Sequence, residues 1–373
     1  MHLRAWAFLA LSVVTGGAGA CGSSSGGSGA GVTGGQSSGA SSSSGSGAGA
    51  SSGTASGGGA SSGGETGQPG DDLGSAGDGG DAGGRRQAAS ADAGKTKPAD
   101  GGGSATVVTC PATALKPGDT NASVMVGGVM RNYILHVPTG YSGKTAVPLV
   151  LDFHPILSND SYEQTNSGYA TLADQEGFVV AFPDGIDNAW NIGPCCTTSR
   201  TVDDLGFAKT LVTTLEMQAC VDLKRVYAVG YSMGGGMSHY LGCNAADVFA
   251  AVAPAAFDLL QDSEEPCHPS RPITEISFRG TADPIVPYAG GASNPPNGLN
   301  VTIHFLGAEG TFQKWSQLDG CTGSPSAPDS NGCSTYAQCQ AGVEVTLCTA
   351  QGGGHVTGDP KIGWAMLKAH PMP

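Results

Sequence analysis

The sequence predicts an α/β fold in which a mostly parallel sheet carries helices on both faces. The first observation is a set of short apolar runs without polar alternation, which is typical of strands covered on both sides. These runs are residues 148–153, 177–182, 226–229, 249–253 and 273–278. The second observation is that helical stretches separate several of the runs, and an alternation of strand and helix favours a parallel sheet.

An antiparallel hairpin is predicted ahead of the parallel strands, at one edge of the sheet. Residues 123–126 and 130–137 have strand character, and Gly127 and Gly128 lie between them. Glycines at this spacing suit a tight hairpin turn.

The clearest helix is predicted from Asp203 and Asp204 to about Ala219. Its apolar residues recur at helical spacing on one face, and they are Leu205, Ala208, Leu211, Val212 and Leu215. We expect the two acids to cap the helix and to interact favourably with its dipole, rather than to take part in catalysis.

The first 104 residues differ in composition from the rest. Residues 1–20 combine Arg4, an apolar run and small residues before Cys21, which predicts an export signal peptide rather than a membrane span. The segment resembles a bacterial lipobox in which Cys21 carries the lipid, and the alternative is ordinary cleavage that leaves a free cysteine. Residues 21–104 contain 29 glycines and long serine runs, which predicts a disordered Gly/Ser-rich tether.

Residues 105–373 have the composition of one globular domain. A chain of about 270 residues buries roughly three quarters of its unfolded surface. The domain contains 24 acidic residues and 12 lysines plus arginines, a net charge of −12. This charge disfavours nucleic acid and anionic lipid surfaces, so we expect no nucleic-acid partner and membrane contact only through a lipid on Cys21.

Ten of the eleven cysteines lie in this domain. An even number in an exported domain predicts disulfides, and the absence of zinc-like Cys or His spacing disfavours a metal site. No organic cofactor is implied. Cys195 and Cys196 are adjacent, and we expect each to pair with a distant cysteine because a bond between neighbours is strained.

Residues 230–234, Gly-Tyr-Ser-Met-Gly, place Ser232 between glycines where a strand gives way to a glycine-rich helix start. This is the layout of a nucleophile elbow. The pattern alone is weak in a chain with 62 glycines, so the surrounding residues decide its meaning.

A serine nucleophile requires a histidine base and an acid that orients the histidine. The order expected for this layout is serine, acid, histidine. His355 is the predicted base, because residues 343–347 look like a final strand and a glycine loop follows them. Asp283 is the predicted acid, because it lies in a turn just beyond the strand at 273–278. Asp258 and Asp262 satisfy the same order in a more polar segment.

Further motifs accompany the elbow in a characteristic order. They are residues 177–185 (GFVVAFPDG), Trp190 and Asn191 before the cysteine pair, residues 202–207 (VDDLGF), residues 220–222 (CVD) and the segments that hold Asp283 and His355. From about Arg131 to its end, the chain resembles the secreted polyhydroxybutyrate depolymerase and feruloyl esterase family, which includes carbohydrate esterases. The resemblance implies a disulfide-stabilised α/β-hydrolase fold with Ser232, Asp283 and His355 as the catalytic triad.

Two positions depart from the pattern of that family. His154-Pro155 stands where the family usually has His-Gly, and proline has no N–H to donate. The oxyanion hole is therefore predicted to use the amides of Met233 and Ile156. Loss of one donor typically costs about a hundredfold or more in rate, but little is lost if the family's donor is the residue after the glycine, which Ile156 replaces. Arg279 stands where histidine commonly precedes Gly-Thr, close to Asp283.

The resulting hypothesis is an exported serine esterase that acts through an acyl-enzyme on feruloyl or acetyl polysaccharide esters, or on polyhydroxybutyrate-type polyesters. Trp190, Asn191 and Tyr288 are predicted to line the rim for an aromatic or sugar-bearing substrate. The alternative for Trp190 is packing beneath the cysteine loop. Two other functions remain open: a tethered binding module that has lost catalysis, and a serine peptidase of the same fold.

Overall fold

The computed structural model describes residues 108–193, 195–197, 199–261, 266–294 and 301–373. The predicted signal peptide, Cys21, the tether and Asp262 lie outside these residues. The strands are β1 Gly118–Val126, β2 Val129–Val137, β3 Val147–Phe153, β4 Val179–Pro183, β5 Val221–Tyr231, β6 Ala251–Ala255, β7 Thr274–Gly280, β8 Gly291–Ser293, β9 Ile303–Phe305, β10 Cys333–Tyr336 and β11 Val345–Ala350. The α-helices are α1 Asp160–Asn166, α2 Tyr169–Glu176, α3 Asp204–Gln218, α4 Met233–Asn244, α5 Ala308–Leu318 and α6 Pro360–Ala369.

Nine of the described strands form one sheet, in the order β1-β2-β4-β3-β5-β6-β7-β11-β10. Strands β4, β3, β5, β6, β7 and β11 run parallel to one another. Strand β2 is antiparallel to both β1 and β4, and β10 is antiparallel to β11. The predicted mostly parallel sheet is confirmed, and this strand order is that of an α/β-hydrolase.

The hairpin at the β1 edge is confirmed at the predicted turn. Val126 pairs with Val129, and the two residues between them, Gly127 and Gly128, have φ values of 57° and 85°. A two-residue turn with positive φ at both positions matches the twist of the strands that it joins. The glycines therefore fix the register of the hairpin.

Helices cover both faces of the sheet, as predicted. Leu149 and Leu151 of β3 point to one face, where they pack in a cluster that includes residues of α3, α4 and α5. Val150 points to the other face and packs with residues of α2 and α6. Residues 149–151 of β3 are therefore covered by apolar side chains on both faces, which explains their unbroken apolar run. No helix in the described ranges has the length and apolar character needed to cross a bilayer.

Helix α3 begins and ends within one residue of its predicted bounds. Asp203 caps it, because its carboxylate accepts a hydrogen bond of 2.7 Å from the Gly206 amide. Asp204 has a different role from the one expected. It is buried and accepts a hydrogen bond of 2.6 Å from Nη2 of Arg131, so it ties the helix to strand β2.

The two aspartates at the start of α3 should differ in their effect on stability. Asp204→Asn should lower the free energy of unfolding by about 3 to 5 kcal/mol, because it leaves the buried Arg131 without its counter-charge. Asp203→Ala should cost about 1 kcal/mol, the usual effect of removing a helix cap. Denaturant unfolding followed by circular dichroism measures both values. A smaller loss for Asp204→Asn than for Asp203→Ala would contradict the ion pair.

Five disulfides join the ten described cysteines. They are Cys110–Cys220, Cys195–Cys196, Cys243–Cys267, Cys321–Cys339 and Cys333–Cys348. The expectation that Cys195 and Cys196 each reach a distant partner is wrong, because they bond to each other. Cys196 has a φ of 76°, and this left-handed turn brings neighbouring side chains together, while the other eight cysteines pair among themselves.

Candidate active site

Ser232 lies at the sharp turn between strand β5 and helix α4. Its φ and ψ are 55° and −121°, a region that residues with a Cβ rarely adopt and that is found mainly at functional sites. The Ser232 amide donates a hydrogen bond of 2.9 Å to the carbonyl of Ala255 at the end of β6. Two neighbouring strands therefore hold the serine at the carboxyl end of the sheet.

The glycines on either side of Ser232 are required by close backbone contacts. A Cβ on Gly234 would lie 1.8 Å from the carbonyl oxygen of Phe153, and a Cβ on Gly230 would lie 2.5 Å from the carbonyl of Gly234. Real Cβ atoms do not approach backbone this closely. The Gly-x-Ser-x-Gly pattern is therefore required because α4 packs tightly against the ends of β3 and β5.

The structure brings Ser232, His355 and Asp283 into one hydrogen-bonded array. His355 Nε2 lies 2.8 Å from Ser232 Oγ, and His355 Nδ1 lies 2.8 Å from Asp283 Oδ2. Asp283 follows β7 and His355 follows β11, so all three residues lie beyond the carboxyl ends of strands. With the Nδ1 proton donated to Asp283, Nε2 is free to accept the proton of the serine hydroxyl.

The loops that carry the acid and the histidine are joined by their backbones. The Ala282 amide donates to the Gly353 carbonyl at 2.8 Å, and a Cβ on Gly280 would lie 2.1 Å from the Gly354 carbonyl. On the other side, the Tyr231 hydroxyl donates to the His355 carbonyl at 3.0 Å. These contacts fix the position of the imidazole relative to the serine.

Asp283 is held as a carboxylate. Burial alone would raise its pKa, but the hydrogen bond from His355 and the amides of Val286 and Ile285 lower the pKa below its ordinary value. The two amides donate to Oδ1 at 3.0 and 2.8 Å. Oδ2 accepts the hydrogen bond from His355 Nδ1, so the acid can orient the histidine and stabilise its protonated form.

The segment His154-Pro155-Ile156 runs past Ser232 and is braced by the buried His154. Its Nδ1 donates to the Pro155 carbonyl at 2.8 Å, and its Nε2 accepts from the Gly185 amide at 2.9 Å. Burial lowers the pKa of His154 to about 4, so the ring is neutral at ordinary pH. Ile156, two residues further on, lines the same pocket as Ser232.

An apolar pocket adjoins Ser232 and is bounded by Ile156, Cys196, Met233, Phe257, Ile303 and Phe305, among others. Met233 is the first residue of α4, where amides have no partner within the helix. The amides predicted for the oxyanion hole thus belong to residues of this pocket. Sequence reasoning missed Phe257, Ile303 and Phe305, although Phe257 follows the end of β6 and could have been found from that position.

No family model matches the chain. Among curated proteins, the chain is 44% identical to feruloyl esterase B of Piromyces equi over 250 residues, which are 65% of this chain and 46% of that protein. It is 30% identical to the putative esterase NocK of Nocardia uniformis subsp. tsuyamanensis over 252 residues, which are 63% of this chain and 73% of that protein. The chain belongs to the polyhydroxybutyrate depolymerase and feruloyl esterase family.

The chain thus spans about half the length of feruloyl esterase B. It is also 26% identical to the bifunctional acetylxylan esterase/xylanase XynS20E of Neocallimastix patriciarum and spans 31% of that protein. Among solved structures, the acetyl xylan esterase from Aspergillus awamori aligns over 67% of this chain and 99% of its own, with 15% identity and a TM-score of 0.49.

Trp190, predicted at the rim, is fully buried. Its indole Nε1 donates to the His154 carbonyl at 2.9 Å, and its ring packs edge-on against Phe153 with centroids 5.2 Å apart. The rim assignment is therefore wrong for this residue. Trp190 belongs to the same apolar cluster as Cys195 and Cys196, which corresponds to the packing alternative.

Asn191 and Tyr288 use their polar groups within the protein. The Asn191 side-chain amide donates to the carbonyls of Arg200 and Val202 at 2.9 and 3.0 Å. The Tyr288 hydroxyl bonds to Glu309 and Thr349 at 3.0 and 2.8 Å. These contacts brace loops around the site of this esterase-family chain, and contact of either side chain with a substrate stays a prediction.

Two other buried titratable residues, His239 and Asp258, have partners outside the triad. His239 is buried on α4, where its Nδ1 accepts from Trp315 Nε1 at 3.1 Å, and burial lowers its pKa to about 3. Asp258 forms an ion pair with Arg279. Within the described ranges, no group of three or more His, Cys, Asp or Glu side chains is arranged to hold a metal ion.

Proposed function

We propose that the protein is an exported serine hydrolase of carboxylic esters. The observation that carries this proposal is the pair of 2.8 Å contacts that link Ser232 to His355 and His355 to Asp283. Such an array activates a serine that is otherwise a weak nucleophile. Membership of an esterase family supports the same reaction class.

In the proposed reaction, Ser232 Oγ attacks the ester carbonyl while His355 Nε2 takes its proton. The tetrahedral intermediate collapses to an acyl-enzyme, and the alcohol leaves with the proton from His355. Water then attacks the acyl-enzyme with His355 as the base, which releases the acid and restores Ser232. Asp283 remains a carboxylate throughout and stabilises the protonated imidazole.

The oxyanion formed in each step would accept hydrogen bonds from the amides of Met233 and Ile156. Both residues bound the pocket that contains Ser232, and the start of α4 adds the positive end of a helix dipole. Donors of this kind lower the barrier because they are already oriented toward the charge that develops.

The substrate proposed is an ester of a polysaccharide, with a feruloyl or acetyl group as the acyl part. The apolar walls of the pocket, with Phe257 and Phe305 among them, suit an apolar or aromatic acyl group better than a charged one. The names of two relatives, feruloyl esterase B and the bifunctional acetylxylan esterase/xylanase, agree with this class of substrate. A polyhydroxybutyrate-type polyester is the second substrate to test.

Export is supported by the five disulfides, because such bonds form in oxidising compartments. We propose further that residues 1–20 are removed as a signal peptide, that Cys21 carries a lipid and that residues 21–104 form the tether. The mass of the mature N-terminal peptide checks this proposal. A peptide that begins at Cys21 without added lipid would leave export intact and exclude the anchor.

The function is tested by labelling the purified protein with a fluorophosphonate and mapping the modified peptide. We expect one adduct, on Ser232, and hydrolysis of methyl ferulate, acetylated xylan or hydroxybutyrate oligomers. Matched ester and amide substrates separate an esterase from a peptidase. An adduct on another serine, or binding of polysaccharide without turnover of any activated ester, would overturn the proposal.

A further inference from the structure

Arg279 is a buried cation between two buried carboxylates. On strand β7, its Nη1 forms an ion pair with Asp258, and its Nη2 lies 3.8 Å from Asp283 Oδ2. The side chain of each of the three residues is at most 1% exposed. Because Asp258 follows β6 and Asp283 follows β7, Arg279 links the ends of two neighbouring strands.

Arg279 also holds the loop that positions Asp283. Its Nη2 donates to the Val286 carbonyl at 2.7 Å, and the Val286 amide donates to Asp283 Oδ1 at 3.0 Å. Movement of the guanidinium would therefore displace the residue that supplies an N–H to the acid. The chain of contacts continues from Asp283 Oδ2 to His355 Nδ1 at 2.8 Å.

We propose that Asp258 and Arg279 are a positioning pair for the catalytic array. Arg279 fixes the loop that carries Asp283. Asp258 neutralises the charge of Arg279, so the three side chains together present a net charge of −1 to His355. This inference rests on the proposed function, in which His355 is the base. Neither residue is required to touch the substrate.

The titratable groups around Asp258 and Arg279 support this balance of charge. Burial raises the pKa of Asp258 to about 6, although Arg279 lowers it, so Asp258 is ionised above neutral pH. Four other titratable groups, His239, Tyr231, Glu275 and Tyr288, interact electrostatically with Arg279, Asp258 or Asp283, and Lys314 lines the same pocket as Asp258. Burial favours the neutral form of the first four.

The variant Asp258→Asn tests the charge balance. It removes one of the two carboxylates beside Arg279, so the net negative charge near His355 is lost and protonation of His355 is disfavoured. The acid limb of the kcat/KM profile against pH should therefore move to lower pH by roughly 0.5 to 1 unit. Asp247→Asn is the matched control, because Asp247 is an exposed aspartate paired with Lys209, and its acid limb should not move.

The double variant Arg279→Gln with Asp258→Asn separates charge from position. It removes one charge of each sign, so the acid limb should return to its original pH. The plateau of kcat/KM should remain about tenfold or more below the original, because the Val286 carbonyl has lost its donor and Asp283 is held less firmly.

The positioning role is overturned if Asp258→Asn lowers kcat/KM equally at every pH, or leaves it unchanged. It is also overturned if the double variant keeps the full plateau. If circular dichroism shows that one of the two variants does not fold, the result from the other variant still decides the proposal. The proposed function fails separately, if ester hydrolysis persists in a Ser232→Ala protein.

Discussion

The substitution Ser232→Ala is expected to lower kcat for an activated ester by about 10⁴-fold or more and to abolish labelling by a fluorophosphonate. The reason is geometric, because Ser232 Oγ is the hydroxyl at 2.8 Å from His355 Nε2. Removal of this oxygen leaves the histidine without a nucleophile to activate. Residual hydrolysis would come only from water activated in the same place.

Ser238→Ala is the matched control for that experiment. Ser238 is also a buried serine, and it lies on α4. Its Oγ donates to the Gly234 carbonyl at 3.0 Å and has no part in the array. Its alanine variant should keep both hydrolysis and labelling. Labelling that survives in Ser232→Ala and disappears in Ser238→Ala would reverse the assignment of the nucleophile.

The substitution Gly234→Ala is expected to have the largest effect on stability of any single methyl addition near the site. The new Cβ would lie 1.8 Å from the Phe153 carbonyl oxygen, which is backbone and cannot rotate away. Helix α4 or strand β3 must shift, at a cost of roughly 3 kcal/mol or more. Activity should fall too, because Phe153 leads directly into the loop of His154 and Ile156.

Gly140→Ala is the control for the added methyl group. No atom lies within 4 Å of a Cβ built on Gly140, so its stability should change by less than about 0.5 kcal/mol. Thermal and denaturant unfolding of both variants provide the comparison. Equal stability of the two would show that α4 does not pack as tightly against β3 as the structure indicates.

The parallel strands and helix α3 could be predicted from sequence because each carries a strong local signal. The parallel strands were found from unbroken apolar runs, and α3 from its periodicity. Strands β8 and β9 have only three residues each, and β10, from Cys333 to Tyr336, has four. Elements this short form because neighbouring segments pair with them, so no local pattern distinguishes them from loop.

The candidate site could be predicted as a set of residues but not as a shape. The order of Ser232, Asp283 and His355 follows from the fold, whereas their mutual distances depend on how the loops after β7 and β11 meet. Trp190 shows the limit of local reasoning, because an indole beside a loop can point outward or inward. Its inward position depends on the His154 carbonyl, 36 residues away in the chain.

The disulfide between Cys110 and Cys220 lies at the opposite end of the sheet from Ser232. Cys220 directly precedes β5, whereas Ser232 directly follows it, so the bond lies at the amino ends of the parallel strands and the serine at their carboxyl ends. The short described segment that ends at Cys110 is therefore held to the domain at the end of the sheet opposite the serine.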